Sequence, residues 1–419
     1  MPSVRGSSNY PAGKMFELDS HNLFTQIGCG TSLMDSQGNV LSTNYQIAEG
    51  MLGLFSVRRS TNSDIYFVSG LQQDSCSALG SNTLAYTHPA IGKLDSIGNT
   101  SVVHYYPLDA GTCWNVAEDL EIITDKSVVA WGGGQLVGQP SSVFILKVDS
   151  MWGLSWAKHY SRIGSIKFVK ELPSGDLIAG LDLDTAGAVV ARLDPDGNVL
   201  WCKSYIRPRG SIYDCVVESD SSFLITGRTD QIQSQVPKMF VMMINGDGDV
   251  SWCRGYVSPD GWGPDPFLMT KLRNGNYAML GTLDSETGRS AFLMRTDLNG
   301  DTLWTRSAGE SGYTYTTNGL LESWDGGILY EGISYGNFWP WSNAAYLFKT
   351  DSLGHLPCSE KPTTQIAIIE LFPADSSLSM TSVDGGMAFS TEAFAAECDP
   401  ITLLDACTIT HVPNNTTKQ

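Results

Sequence analysis

An all-β, seven-bladed β-propeller built of four-stranded blades is the fold this sequence predicts, and three observations predict it. A segment of the form "LDPDGNVLWCKSY" (193–205) recurs seven times. A second kind of hairpin lies between successive copies. The 43 Gly and 18 Pro of the 419 residues are scattered as turn formers rather than clustered as linkers.

The first repeat is anchored at Asp35, Asp95, Asp149, Asp194, Asn245, Asp297 and Asp351, with spacings of 60, 54, 45, 51, 52 and 54 residues. An apolar run precedes each central anchor ("VFILKVD", "AVVARLD", "FVMMIN", "AFLMRTD") and a second strand follows it. Each copy therefore reads as a hairpin whose Asp/Gly/Asn turn tolerates positive φ and caps its own amides. The seventh place after the anchor holds Ser42, Val102, Trp156, Trp201, Trp252, Trp304 and Cys358, and the ninth holds Lys158, Lys203, Arg254 and Arg306 in the four central copies. Four Trp at one equivalent strand position suit packing between blades, with the Lys/Arg stem laid over the ring and its charge at the rim.

The second family has turns at 62–64, 124–126, 174–176, 220–222, 274–276, 325–327 and 384–386, as in "VKELPSGDLIAGL" and "LLESWDGGILYEG". Two hairpins per repeat of about 50 residues is the signature of a propeller, whose blades bury their faces only against neighbours. The chain opens on a hairpin of the first kind (27–46) and ends on one of the second (376–394). The expected closure is thus a last blade shared between N- and C-terminal hairpins, with 1–26 an extension, 27–394 the propeller and 395–419 a tail.

The pattern D-x-x-G-x-x-x-W-x-(K/R), with its "DGG" hairpins and the ending "TDSLGHLPCSE", resembles the propeller repeats of surface-associated proteins of Bacteroidota-type bacteria. The resemblance covers roughly residues 27 to 394 and speaks to architecture rather than to one activity.

Composition narrows the function. The net charge is −18 with no Lys/Arg cluster, which disfavours nucleic acid and anionic lipid as partners. No apolar run is long enough to span a bilayer, so no membrane insertion is expected. The first 22 residues lack an apolar signal core, so the expected setting is extracellular or particle-associated without a recognisable leader. Nine Cys, an odd number with no CxxC pair, form neither a zinc site nor a dense disulfide scaffold.

Candidate chemistry is sparse. "DPDGN" (Asp194, Asp196, Asn198) and "NGDGD" (Asn245, Asp247, Asp249) open like an EF-hand loop, but the twelfth position, a Glu in such loops, is Tyr205 or Tyr256. Asp194 and Asp297 therefore read as turn residues, and neither a metal nor another cofactor is expected. No HExxH, GxSxG or phosphate loop occurs, and Asp182/Asp184 in "GLDLD" read as solvated loop carboxylates rather than a glycosidase pair. The expectation is a non-enzymatic binding or assembly module, a subunit of a particle such as a phage tail or contractile injection system. A lectin, or a glycosidase or lyase acting on polysaccharide, is the alternative. Protein subunits or surface glycans are the corresponding partners. The binding surface is expected among the long, variable loops, with Trp131, Trp262, Phe338, Trp339 and Trp341 as contacts.

Overall fold

The computed structural model describes residues 15–391 except 28–29, 45–50, 77–83, 109–111, 137–140, 161–163, 184–186, 206–209, 230–238, 259–263, 286–287, 310–312, 337–342, 357–359, 362–364, 372–375, 378–379, 381 and 385–388. Seven antiparallel blades follow one another in chain order: 16–44, 56–105, 112–160, 165–205, 210–257, 264–308 and, with three described strands, 313–349. Strands A to D run from the axis outward, so A–B and C–D turns share one face and B–C and D–A connections the other.

Each first-family turn is held by its own anchor. The Asp194 carboxylate accepts from the Asp196 and Asn198 amides at 3.0 and 2.7 Å and from the Asn198 side chain at 2.8 Å, and Asp297 accepts from Asn299 and Asp301 at 2.9 and 2.8 Å. Gly197 supplies the positive φ of 79° that the turn requires. Slight burial works against ionisation of Asp194, yet the Asn198 bonds outweigh it and hold this carboxyl below its ordinary value.

The strand after each turn then clasps the next blade. Trp156 and Trp201 donate their indole N–H to the Pro195 and Gly246 carbonyls at 3.0 and 2.9 Å, and Tyr160, Tyr205 and Tyr256 donate to the Gly197, Gly248 and Gly300 carbonyls at 2.8, 2.6 and 2.7 Å. Trp252 and Trp304 lie likewise under Gly300 and Gly354. Lys158 reaches Asn198 at 2.7 Å, Lys203 reaches Asp249 at 2.6 Å, and Arg254 reaches Asp301 at 2.7 Å. Arg254 and Arg306 also sit over their own Trp252 and Trp304 rings. Where the second blade has Val102 in place of Trp, the ring comes from the third blade's turn instead. Trp152 takes φ 70° there and stacks on His104 at 4.4 Å.

Near the axis a second regularity appears. Strand A of blades 3 to 7 carries a β-bulge at Glu118, Lys167, Tyr213, Phe267 or Asn318, facing Gly132, Gly180, Gly227, Gly281 or Gly332 on strand B. At Gly132, Gly227 and Gly281 glycine is required because the bulged backbone crowds it: a Cβ on Gly227 or Gly281 would lie 2.3 or 2.2 Å from a carbonyl oxygen.

The chain does not close as the sequence suggested. Blade 1 starts at Phe16, before residue 27, and is complete on its own: Phe16–Glu17 and Leu23–Ile27 supply strands A and B to Gly30–Met34 and Val40–Asn44. After blade 7 the chain runs back around the rim as a belt. Glu360–Lys361 pairs with strand D of blade 6, Ala367–Glu370 with blade 5, Ser376–Ser377 with blade 4, Ser382–Asp384 with blade 3 and Phe389–Thr391 with blade 2. Of the turn expected at 384–386, residues 385–386 lie outside the described residues; the strands on either side, Ser382–Asp384 and Phe389–Thr391, pair with different blades. The physical reason is edge coverage. Each outer strand would otherwise present unpaired amides and carbonyls, and five short fifth strands cover them where one shared blade would cover a single gap.

The seam between blades 7 and 1 differs from the other six. Its buried apolar cluster holds Met15, Leu23, Met34 and Leu329, four described residues against ten to fifteen at the other junctions. It also buries Glu331, to which Thr25 of blade 1 donates a hydrogen bond, while the second carboxyl oxygen finds no donor among the described residues. Burial pushes the Glu331 carboxyl up to about 8, against the lowering effect of the Thr25 bond. A carboxyl raised from 4.5 in the open chain binds its proton more tightly when folded. Its contribution is therefore full below about 4.5, declines as pH rises, and is gone above about 8. Glu331→Gln should match the parent in acid and exceed it above pH 8 by on the order of 5 kcal/mol. Urea unfolding across pH checks this, and a parent-minus-variant difference that stays flat would contradict it.

Candidate functional site

The sequence-predicted contacts fall in three places. Trp131 is not a loop residue: it lies in strand B of blade 3, 1% exposed, within the core between blades 3 and 4, so a surface role for it is corrected. The expectation failed because the bulge opposite Gly132 continues the strand through "WGGG" rather than ending it. Trp262, Phe338, Trp339 and Trp341 lie outside the described residues. Trp156, Trp201, Trp252 and Trp304 are half-buried between blades, as described above.

The axis is lined by ion pairs that mostly join neighbouring blades. Arg58 meets Asp119 at 2.9 Å, Lys170 meets Glu121 at 3.2 Å and Arg228 meets Asp265 at 3.1 Å, while Asp214 accepts from the Met269 amide at 2.9 Å. Burial raises the carboxyls of Asp214 and Asp265 above the usual range, and Glu118 reaches about 7 through burial and the Asp119 charge, opposed by Lys167. Asp182 pairs with Lys167 at 3.3 Å, which occupies it structurally. Among the described residues no cluster of three His, Cys, Asp or Glu side chains could hold a metal. The thiols of Cys202, Cys215 and Cys253 are free and buried, and burial pushes each above its ordinary value, away from the reactive thiolate.

An open site among the described residues lies on the face of the tight turns. A cleft of about 580 Å³ is lined by Glu17, Asp19 and His21 of blade 1, Arg59 of blade 2, Lys271 and Arg273 of blade 6, and Glu322 and Trp324 of blade 7. These residues belong to or border the A–B turns, which encircle the axis, so the cleft sits at the channel mouth. Trp324 is 50% exposed and is the one aromatic among the exposed large hydrophobic side chains of the described residues.

The cleft is fixed from both sides of the seam. Glu17 accepts the Trp324 amide at 2.9 Å, Arg273 donates to the Trp324 carbonyl at 3.1 Å, and Arg59 donates to the Glu17 carbonyl at 2.9 Å. The His21 ring, on a residue with φ 61°, lies 4.8 Å from the Trp324 ring at a tilt of 33°. Arg59 also pairs with Asp19 at 2.8 Å, and its hydrogen bond and charge hold the Asp19 carboxyl below the usual value. Arg273 pairs with Glu322 at 3.3 Å. Such a site offers one aromatic platform ringed by guanidinium donors and carboxylate acceptors. Sequence reasoning missed it because its parts come from four blades. The one local signal was Trp324 at a turn position, in "ESWDGG", where other copies carry Pro173 or Arg273.

No protein-family model and no curated protein matches the chain. Among solved structures, a chain of the mitotic checkpoint complex is 11% identical over 82% of this chain and 88% of that one, with a TM-score of 0.50. A protein of unknown function from Bacteroides caccae is 12% identical over 71% of this chain and 94% of that one, with a TM-score of 0.42. Trypanosoma rangeli sialidase is 10% identical over 90% and 91%, with a TM-score of 0.38. At such identities the likeness is one of fold alone.

Proposed function

We propose that this propeller is a non-enzymatic recognition module whose ligand sits in the cleft at the tight-turn mouth of the channel. The observation that carries the reading is Trp324. An indole left half in water, on a turn whose amide and carbonyl are both tied to neighbouring blades, is a rigid contact surface held ready at no ordering cost to the ligand. Of the axial carboxylates, those of Asp119, Glu121 and Asp265 are already paired with cations.

A second reading, docking of a protein subunit on this face, has its own support. Ile97, Met151, Leu298 and Leu353 are 48 to 84% exposed at the C–D turns of blades 2, 3, 6 and 7, apolar points on the outer part of the same face. A place on a cell or particle surface, which the repeat's resemblance implies, suits either reading.

Labelling with 5-fluorotryptophan separates them. The resonance assigned to Trp324 by its loss in Trp324→Phe should shift when one class among oligosaccharides, peptides and nucleotides is added. If no class moves it, the cleft is not a recognition site.

A further inference from the structure

Resting on the recognition reading, we infer that the cleft takes a neutral sugar unit of a glycan, stacked on Trp324 with its hydroxyls bridged by the Arg59–Asp19 and Arg273–Glu322 pairs. Four observations lead there.

The first is the platform. A pyranose ring presents an apolar C–H face that lies flat on an indole, and Trp324 is the exposed indole of this cleft, with His21 tilted against it to bound one side. The second is size. The site is an open, shallow cleft of about 580 Å³, with room for one or two sugar rings lying along its floor rather than for an enclosed ligand.

The third is charge. The lining carries three carboxylates (Glu17, Asp19, Glu322) and three cations (Arg59, Lys271, Arg273), which cancel. Each cation already has an acidic partner: Asp19 for Arg59, Glu322 for Arg273 and Glu218 for Lys271. An acidic sugar would have to displace one of those carboxylates, and it would do so against a chain of net charge −18. A neutral sugar requires no such exchange.

The fourth is the pattern of polar groups. Vicinal hydroxyls both donate and accept. An ion pair offers guanidinium N–H donors beside carboxylate acceptors, so one pair serves two adjacent hydroxyls with charge-assisted bonds. Asp19 is well placed for this, since 84% of its side chain is open to solvent while its partner Arg59 is 18% exposed and anchored to the Glu17 carbonyl.

The test is binding of the full chain to an array of neutral and acidic oligosaccharides, repeated with Trp324→Ala and Trp324→Phe and at low and high salt. The expected result is binding to neutral glycans that is insensitive to salt. Trp324→Ala should weaken it about tenfold or more and Trp324→Phe less, because phenylalanine retains a smaller stacking face. Thermal midpoints should be unchanged, because the indole is half exposed. Binding confined to sialylated or uronate glycans, binding lost at high salt, or neutral binding unaffected by Trp324→Ala would each overturn the inference. If the array is silent while the fluorine resonance of Trp324 responds to peptides, the sugar assignment fails and the recognition reading stands. If both are silent, the recognition reading itself fails.

Discussion

A chain ending after residue 364 will self-associate and lose most of its folding stability. That truncation keeps blade 7 and the first belt pairing but removes the strands on the outer edges of blades 5, 4, 3 and 2. It also removes Ile366, Ile368, Leu371 and Met380, which pack against three inter-blade cores. At about 1 kcal/mol for each partly buried apolar side chain, with the ladder bonds in addition, the loss is roughly 4–8 kcal/mol, a large share of a typical domain's stability. The uncovered edges then offer four strands for pairing between molecules. Light scattering after size exclusion and a thermal unfolding curve check both effects. A truncated chain that stays monomeric at the parental midpoint would contradict the belt's role.

Gly132→Ala should cost roughly 3 kcal/mol or more, while Gly133→Ala, one residue on, should cost under about 1 kcal/mol. A Cβ on Gly132 would lie 1.8 Å from the Val116 carbonyl oxygen, and backbone on a bulged inner strand cannot step aside without shifting blade 3. A Cβ on Gly133 would meet only the Glu118 carboxylate at 3.5 Å, an ordinary contact. The pair isolates steric crowding at the bulge from helix-or-strand propensity, which is the same for both. Equal losses in urea titration would remove the bulge as the reason for the strand-B glycines.

Most of the frame was legible because its repeat is chemical. The Asp or Asn that caps its own turn is specified by short spacing and places the C–D turn of all seven blades, while the Trp and Lys/Arg that grip the next turn recur in the four central copies. The A–B hairpin of blade 1 was not legible because its inner strand, Phe16–Glu17, is only two residues long and shows no alternation; its glycine-free turn, with His21 in the left-handed position, is no different from the legible ones at Ser63 and Lys126. That omission shifted the reading by half a blade and led to the shared-blade closure. The belt was illegible for a different reason: its strands are two to four residues long, and their partners are fixed only once the blades exist. The cleft escaped for a third. Glu17, Arg59, Arg273 and Trp324 share no local pattern, and only ring closure across the 7/1 seam brings them together.

The location of the binding surface is the claim on which the functional account rests, and oxidative footprinting with peptide-level mass spectrometry tests it most directly. The chain is exposed to hydroxyl radicals with and without the neutral oligosaccharide that binds most tightly on the array. The account predicts protection of Trp324 and His21 on binding, with Trp262, Trp339 and Trp341 oxidised equally in both samples. Protection of Trp262, Trp339 or Trp341 with no change at Trp324 would move recognition away from the cleft and contradict it.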